Sequence, residues 1–121
     1  MVSHESALSV HGIGEFESPR IHLTVPLNFT KDDAALTLHR EALADEDVTE
    51  QKGFTVTTPL RSIIDVAAGA PDEDQLARAI EEAVEGGIVT RRRLRARAEQ
   101  VDDRAALYVE RAIQRTESTS A

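Results

Sequence analysis

VTTPLRSIIDVA, running from Val56 to Ala67, decides how the rest of the chain is read. Thr58 can accept a hydrogen bond from a helix amide, and Pro59 fixes φ at a first helical position that needs no amide donor, so the pair predicts a helix start. Leu60, Ile63, Ile64 and Ala67 then recur at i, i+3, i+4 and i+7 as one apolar stripe, which closes near Gly69 and Pro71. Immediately upstream, Phe54 to Thr57 alternates as a strand does. Strand-like alternation is confined to the chain before this junction and helical periodicity dominates after it, which predicts a segregated α+β domain.

Upstream, Val48 to Gln51 and Phe54 to Thr57 flank Lys52-Gly53, a hairpin turn if Gly53 takes positive φ. Ile21 to Val25, bounded by Pro19 and Pro26, and Leu36 to Arg40 each predict a strand with one buried face. Ser3 as N-cap and Gly12 as stop bracket a short helix through His11. Downstream, Asp72 opens a helix with Leu76, Ile80, Ala83 and Val84 inward and Glu81, Glu82 and Glu85 toward water, ended by Gly86-Gly87. Thr90 caps a segment carrying Leu94, Ala98 and Val101; Asp102 caps a last helix carrying Ala105, Val109, Ala112 and Ile113. The expected architecture is a short N-terminal helix, a small mostly antiparallel sheet and a C-terminal helical half. Residues 1–115 form one domain and residues 116–121 a fraying tail.

Composition narrows the function classes. The 121 residues carry a net charge of −8, so sequence-independent DNA binding over the whole surface is disfavoured. With no Trp, one Tyr and three Phe, the chain lacks the aromatic stock of a base-stacking nucleic-acid binder. The absence of Cys excludes disulfides, thiolate metal sites and cysteine catalysis, and fits a reducing cytoplasm. No stretch approaches the length of a membrane span and none reads as a secretory signal.

Few residues invite chemistry. His4, His11, His22 and His39 match no metal or nucleophile spacing, and no cofactor motif is present. His22 and His39 are placed to meet on the polar face of adjacent strands, but a zinc site needs a third ligand that the sequence does not indicate. Ser3-His4-Glu5 has the residue types of a nucleophilic triad without the strand-to-helix elbow that presents one. Asp65 lies within the apolar stripe with Arg61 four residues earlier, the spacing of a structural ion pair. Arg91, Arg92, Arg93, Arg95 and Arg97 form the single strongly basic patch. It reads either as a phosphate-binding helix start or as a face neutralised by the nearby run Glu81 to Glu85. No spacing brings together a base, a nucleophile and an oxyanion donor, so no enzymatic role is expected.

Five blocks in order, SHESAL from Ser3, RIHLTVP from Arg20, Leu38-His39-Arg40, VTTPLR from Val56 and Ile64-Asp65-Val66-Ala67, resemble the AbiEi-family antitoxins. The resemblance covers about residues 2–90. It implies the non-enzymatic antitoxin of a type IV toxin-antitoxin, or abortive-infection, pair whose partner is a nucleotidyltransferase-like toxin. Family members usually place a winged helix-turn-helix before the serine-histidine block for operator binding. Here Met1 and Val2 lead directly into that block, so the expectation is an antitoxin domain without that module, and operator binding is not carried over. The candidate contact residues are Arg20, Arg40, Arg61, Arg91, Arg92, Arg93, Arg95 and Arg97. Two other readings remain: a DNA-binding regulator using the Arg-rich helix in a groove, and a truncated remnant without function.

Overall fold

A computed structural model describes residues 1–14, 21–29, 36–51, 53–69 and 71–119. In chain order the elements are α1 (His4–His11), β1 (Ile21–Val25), β2 (Leu36–Arg40), a 3-10 turn (Asp45–Asp47), β3 (Val48–Gln51), β4 (Phe54–Thr57), α2 (Pro59–Ala68), α3 (Glu73–Glu85), α4 (Arg91–Val101) and α5 (Asp103–Thr119). After α1 the strands come first and the remaining four α-helices follow, so the fold class is α+β.

The local signals act where the sequence places them. Thr58, Asp72, Thr90 and Asp102 each accept from the amide three residues on, at 2.9 to 3.2 Å. Gly53 turns the β3–β4 hairpin with φ +85, and Gly12 ends α1 with φ +72; both are left-handed conformations that cost a side chain dearly. Ser3 stands at the N-cap of α1 but makes no side-chain cap; its hydroxyl meets the His4 ring instead.

Strand direction departs from expectation. β3 and β4 are antiparallel, but β1 and β2 are parallel, with Leu23 opposite Leu38. Side-chain alternation reports which faces are buried and carries no information on strand direction, so the sequence pattern could not separate the two arrangements. The other edge of β1 is occupied by the first residues of the chain. Ser3 N–H donates to His22 O and Thr24 N–H to Met1 O, while Val2 N–H donates to Thr55 O and Thr57 N–H to Val2 O. Val2 therefore bridges β1 on one side and β4 on the other, joining the two strand pairs. β1 grades along its length from Ile21, 54% exposed, to buried Thr24 and Val25, where the expected alternation would bury Ile21.

Helix α2 also differs from a simple one-stripe helix. Every residue from Arg61 to Ala67 is buried, because α1, α3, α4 and α5 all pack against it. The core gathers Leu8, Ile63, Ile64, Leu76, Ile80, Leu94, Val109 and Ile113 around this central helix. Where the sequence suggests fraying from Thr116, α5 runs on to Thr119: Thr116 is buried, and its hydroxyl donates to Ile113 O at 2.8 Å. Among the described residues no helix is long and apolar enough to cross a membrane.

Ile64→Ala removes a fully buried side chain from the central helix and is expected to cost about 2–5 kcal/mol. Thr58→Ala removes one cap and is expected to cost about 1 kcal/mol. Urea unfolding of the two variants checks both the magnitudes and their order.

Candidate functional site

The junction between β4 and α2 sets one guanidinium in the interior. Thr58 caps α2, and Ser62 Oγ meets Thr57 Oγ1 at 2.6 Å, so the first turn of α2 is held firmly against the strand. Arg61, 4% exposed, then divides its nitrogens among three carboxylates. Nε donates to Asp65 Oδ1 at 2.8 Å, Nη1 to Asp47 Oδ2 at 3.1 Å and Nη2 to Glu41 Oε1 at 2.5 Å. Asp47, also buried, is shared with Arg97, whose Nη2 donates to Oδ2 at 2.6 Å; Arg97 Nη1 lies 3.3 Å from Glu46. The i,i+4 pair of Arg61 and Asp65 is the one link that sequence spacing announces. Glu41, Asp47 and Arg97 come from distant parts of the chain and carry no local signal.

Burial opposes charge on both partners of that pair. Burial pushes the Asp65 carboxyl up to about 6, outweighing the pull of Arg61; Glu41 and Asp47 add to the rise. Burial acts against the Arg61 charge as well, but Asp65 and Glu41 overcome it, and its pKa is raised. Asp65 Oδ2 is buried without a hydrogen-bond partner.

Three histidines stand beside the cluster. The His4 ring lies on the His39 ring with centroids 3.5 Å apart and planes 13° from parallel. His22 Nδ1 and His39 Nε2 are 3.0 Å apart, and His22 Nε2 is 3.1 Å from Glu5 Oε2. His22 and His39 thus meet as their strands suggest, whereas the stacking of His4 depends on the entry of α1 and has no sequence signature. His4 holds φ +54, a left-handed conformation uncommon outside glycine. Burial, reinforced by His39, His22 and Arg61, lowers the His4 pKa to about 3; burial and His22 also lower that of His39. Among the described residues no group of three or more potential ligands is placed to hold a metal ion.

His4, Glu41, Arg61 and Asp65 line a cleft of about 270 Å³ with Asp102 and Arg104. The Ser3-His4-Glu5 triplet does not work as a triad here. Ser3 is fully buried, and Glu5 faces His22 rather than His4.

None of the family models, curated proteins or solved structures compared with the chain matches it.

The candidate contact arginines separate by environment. Arg20 lies outside the described residues. Arg61 is enclosed by its carboxylates and has no exposed face to offer a macromolecule. Arg40 is exposed, its Nε donating to Phe29 O at 3.0 Å. Arg95 pairs with Glu110 and Glu117 of α5, and Arg97 with Asp47 and Glu46, so the acids that neutralise this face are not Glu81 to Glu85. Helix α4 turns those two arginines toward α5 and the 3-10 turn. Arg92 and Arg93 are exposed, Arg91 is half-buried, and among the described residues none of the three has a carboxylate partner.

Arg61→Met is expected to destabilise the fold by about 3–5 kcal/mol, because it strands buried carboxylates; Asp65→Asn costs less, since Arg61 retains Asp47 and Glu41. The pH dependence has two opposing parts. His4 and His39, with lowered pKa values, contribute stability above pH 6.5 that is lost as they are forced to protonate. Asp65, with a raised pKa, contributes in the protonated form, so its contribution returns as pH falls through about 6. Asp65→Asn should therefore lose stability more steeply than the parent between about pH 6 and pH 4, measured by urea unfolding across that range.

Proposed function

We propose that the chain is an antitoxin-like protein that counteracts a nucleotidyltransferase-like toxin in the cytoplasm, without turnover, through protein contact or regulation. What supports the reading is the convergence of the blocks that carry the AbiEi resemblance. The serine-histidine block supplies His4, the RIHLTVP block His22, the Leu38-His39-Arg40 block His39, and the VTTPLR and IDVA blocks Arg61 and Asp65. In three dimensions these residues form one contiguous polar cluster. Blocks scattered over 65 residues of chain that meet in one place behave as a single unit. The cluster favours a binding or structural role over catalysis, because its hydroxyls at Ser3, Thr57 and Ser62 are fully buried and its guanidinium is saturated with carboxylates.

One observation favours DNA-binding regulation as a second reading. α3, a short turn and α4 follow one another, and Arg91, Arg92 and Arg93 stand at the start of α4 without acid partners among the described residues. The amino-terminal residues of a second helix are those that reach base edges and phosphates in a helix-turn-helix.

Co-expression with a nucleotidyltransferase-like toxin, with growth and soluble levels of both followed, is expected to relieve growth arrest. Persistent arrest with soluble, folded protein rejects the antitoxin reading. In a shift assay on promoter DNA, replacing Arg91, Arg92 and Arg93 together weakens binding and flattens its salt dependence if the regulator reading holds; unchanged retention rejects it.

A further inference from the structure

Asp65, which lines the cleft beside Arg61, carries an unsatisfied acceptor. Asp65 is 5% exposed, its Oδ1 takes the Arg61 Nε proton, and its Oδ2 is buried with no partner. A buried carboxylate oxygen left without a donor forfeits its hydration with no return, so a native fold that keeps one calls for an explanation. The surroundings say which kind of group would satisfy it. The connected network and cleft wall hold Glu41, Glu46, Asp47, Asp65 and Asp102 against Arg61, Arg97 and Arg104, an excess of carboxylates. An anion entering here would meet that excess, whereas a cation would be drawn by it. His4, which also lines the cleft, stays neutral near pH 7 and adds no positive charge.

We propose that this cleft is a binding site for a hydrogen-bond-donating cation, an ammonium or guanidinium group, with Asp65 Oδ2 as its acceptor and Glu41 and Asp102 as flanking carboxylates. The volume of about 270 Å³ admits such a head group together with part of an aliphatic stem. A cation that also donates restores the hydrogen bond that burial has taken from the carboxylate, so it is held more strongly than one that offers charge alone. The same chemistry is available from a free small amine and from a Lys or Arg side chain of another protein. The site stands whether or not the chain counteracts a toxin.

The test is a chemical-shift titration of the folded chain at pH 7.5 with methylammonium and methylguanidinium, using tetramethylammonium as a cation that cannot donate. Saturable shifts at Asp65, Ala68 and Asp102 with either donor, absent with tetramethylammonium, are expected. Asp65→Asn should weaken apparent affinity about tenfold or more, the loss that accompanies one charged hydrogen bond. Binding to the parent should also weaken below about pH 6, as Asp65 takes up a proton; this arm serves if Asp65→Asn does not fold. A Gly-Arg-Gly peptide that binds as well as methylguanidinium identifies a protein side chain as the source, and exclusion of the peptide identifies a small amine. Linear, non-saturating shifts, equal response to tetramethylammonium, or undiminished binding by a folded Asp65→Asn variant would overturn the proposal, leaving only a water to satisfy Oδ2.

Discussion

A guanidinium taken out of water has lost its hydration and must be surrounded by acceptors, and Arg61 meets that requirement with carboxylates from three separate parts of the chain. Glu41 follows β2, Asp47 ends the 3-10 turn before β3, and Asp65 lies one turn further along α2. Asp47 passes the constraint to Arg97 in α4. The strand half and the helical half are thereby fastened by directional contacts as well as by apolar packing. Apolar side chains tolerate small rotations of one layer over another, whereas a fork of N–H donors satisfied at three acceptors does not.

The same cluster marks the limit of what a single sequence discloses. Helix starts were legible at Thr58, Asp72, Thr90 and Asp102 because a cap is decided within four residues. The Arg61–Asp65 link was legible for the same reason. The contacts of Arg61 with Asp47 and Glu41 depend on how the strands return to α2, and nothing near those acids distinguishes them from solvent-facing neighbours. The parallel pairing of β1 with β2 and the insertion of Val2 between β1 and β4 were hidden likewise: alternation fixes faces, and pairing partners are settled by the rest of the fold. Burial on every side of α2 was underestimated, since a stripe of apolar residues shows that one face packs but not how many neighbours the helix acquires.

The basic run of α4 illustrates a related point about composition. Five arginines within seven residues look like one patch when written in a line. At about 100° per residue they radiate around the helix, so their neighbours decide what each one does. Arg95 and Arg97 fasten α4 to α5 and to the 3-10 turn, while Arg92 and Arg93 are left facing solvent. A linear charge count therefore overstates the field available to a polyanion, particularly on a chain with net charge −8.

The bridging position of Val2 bears on how the fold is reached. Val2 itself bonds to Thr55 and Thr57 of β4, far along the chain, while its neighbours Met1 and Ser3 bond to Thr24 and His22 of β1. Closing that long loop costs chain entropy before the central seam gains any bond, and contacts of such separation slow the search for the native state. The β3–β4 hairpin and the helices around α2 have local contacts and can organise earlier. Until the two strand pairs meet across Val2, the inner edges of β1 and β4 are open to pairing with other chains.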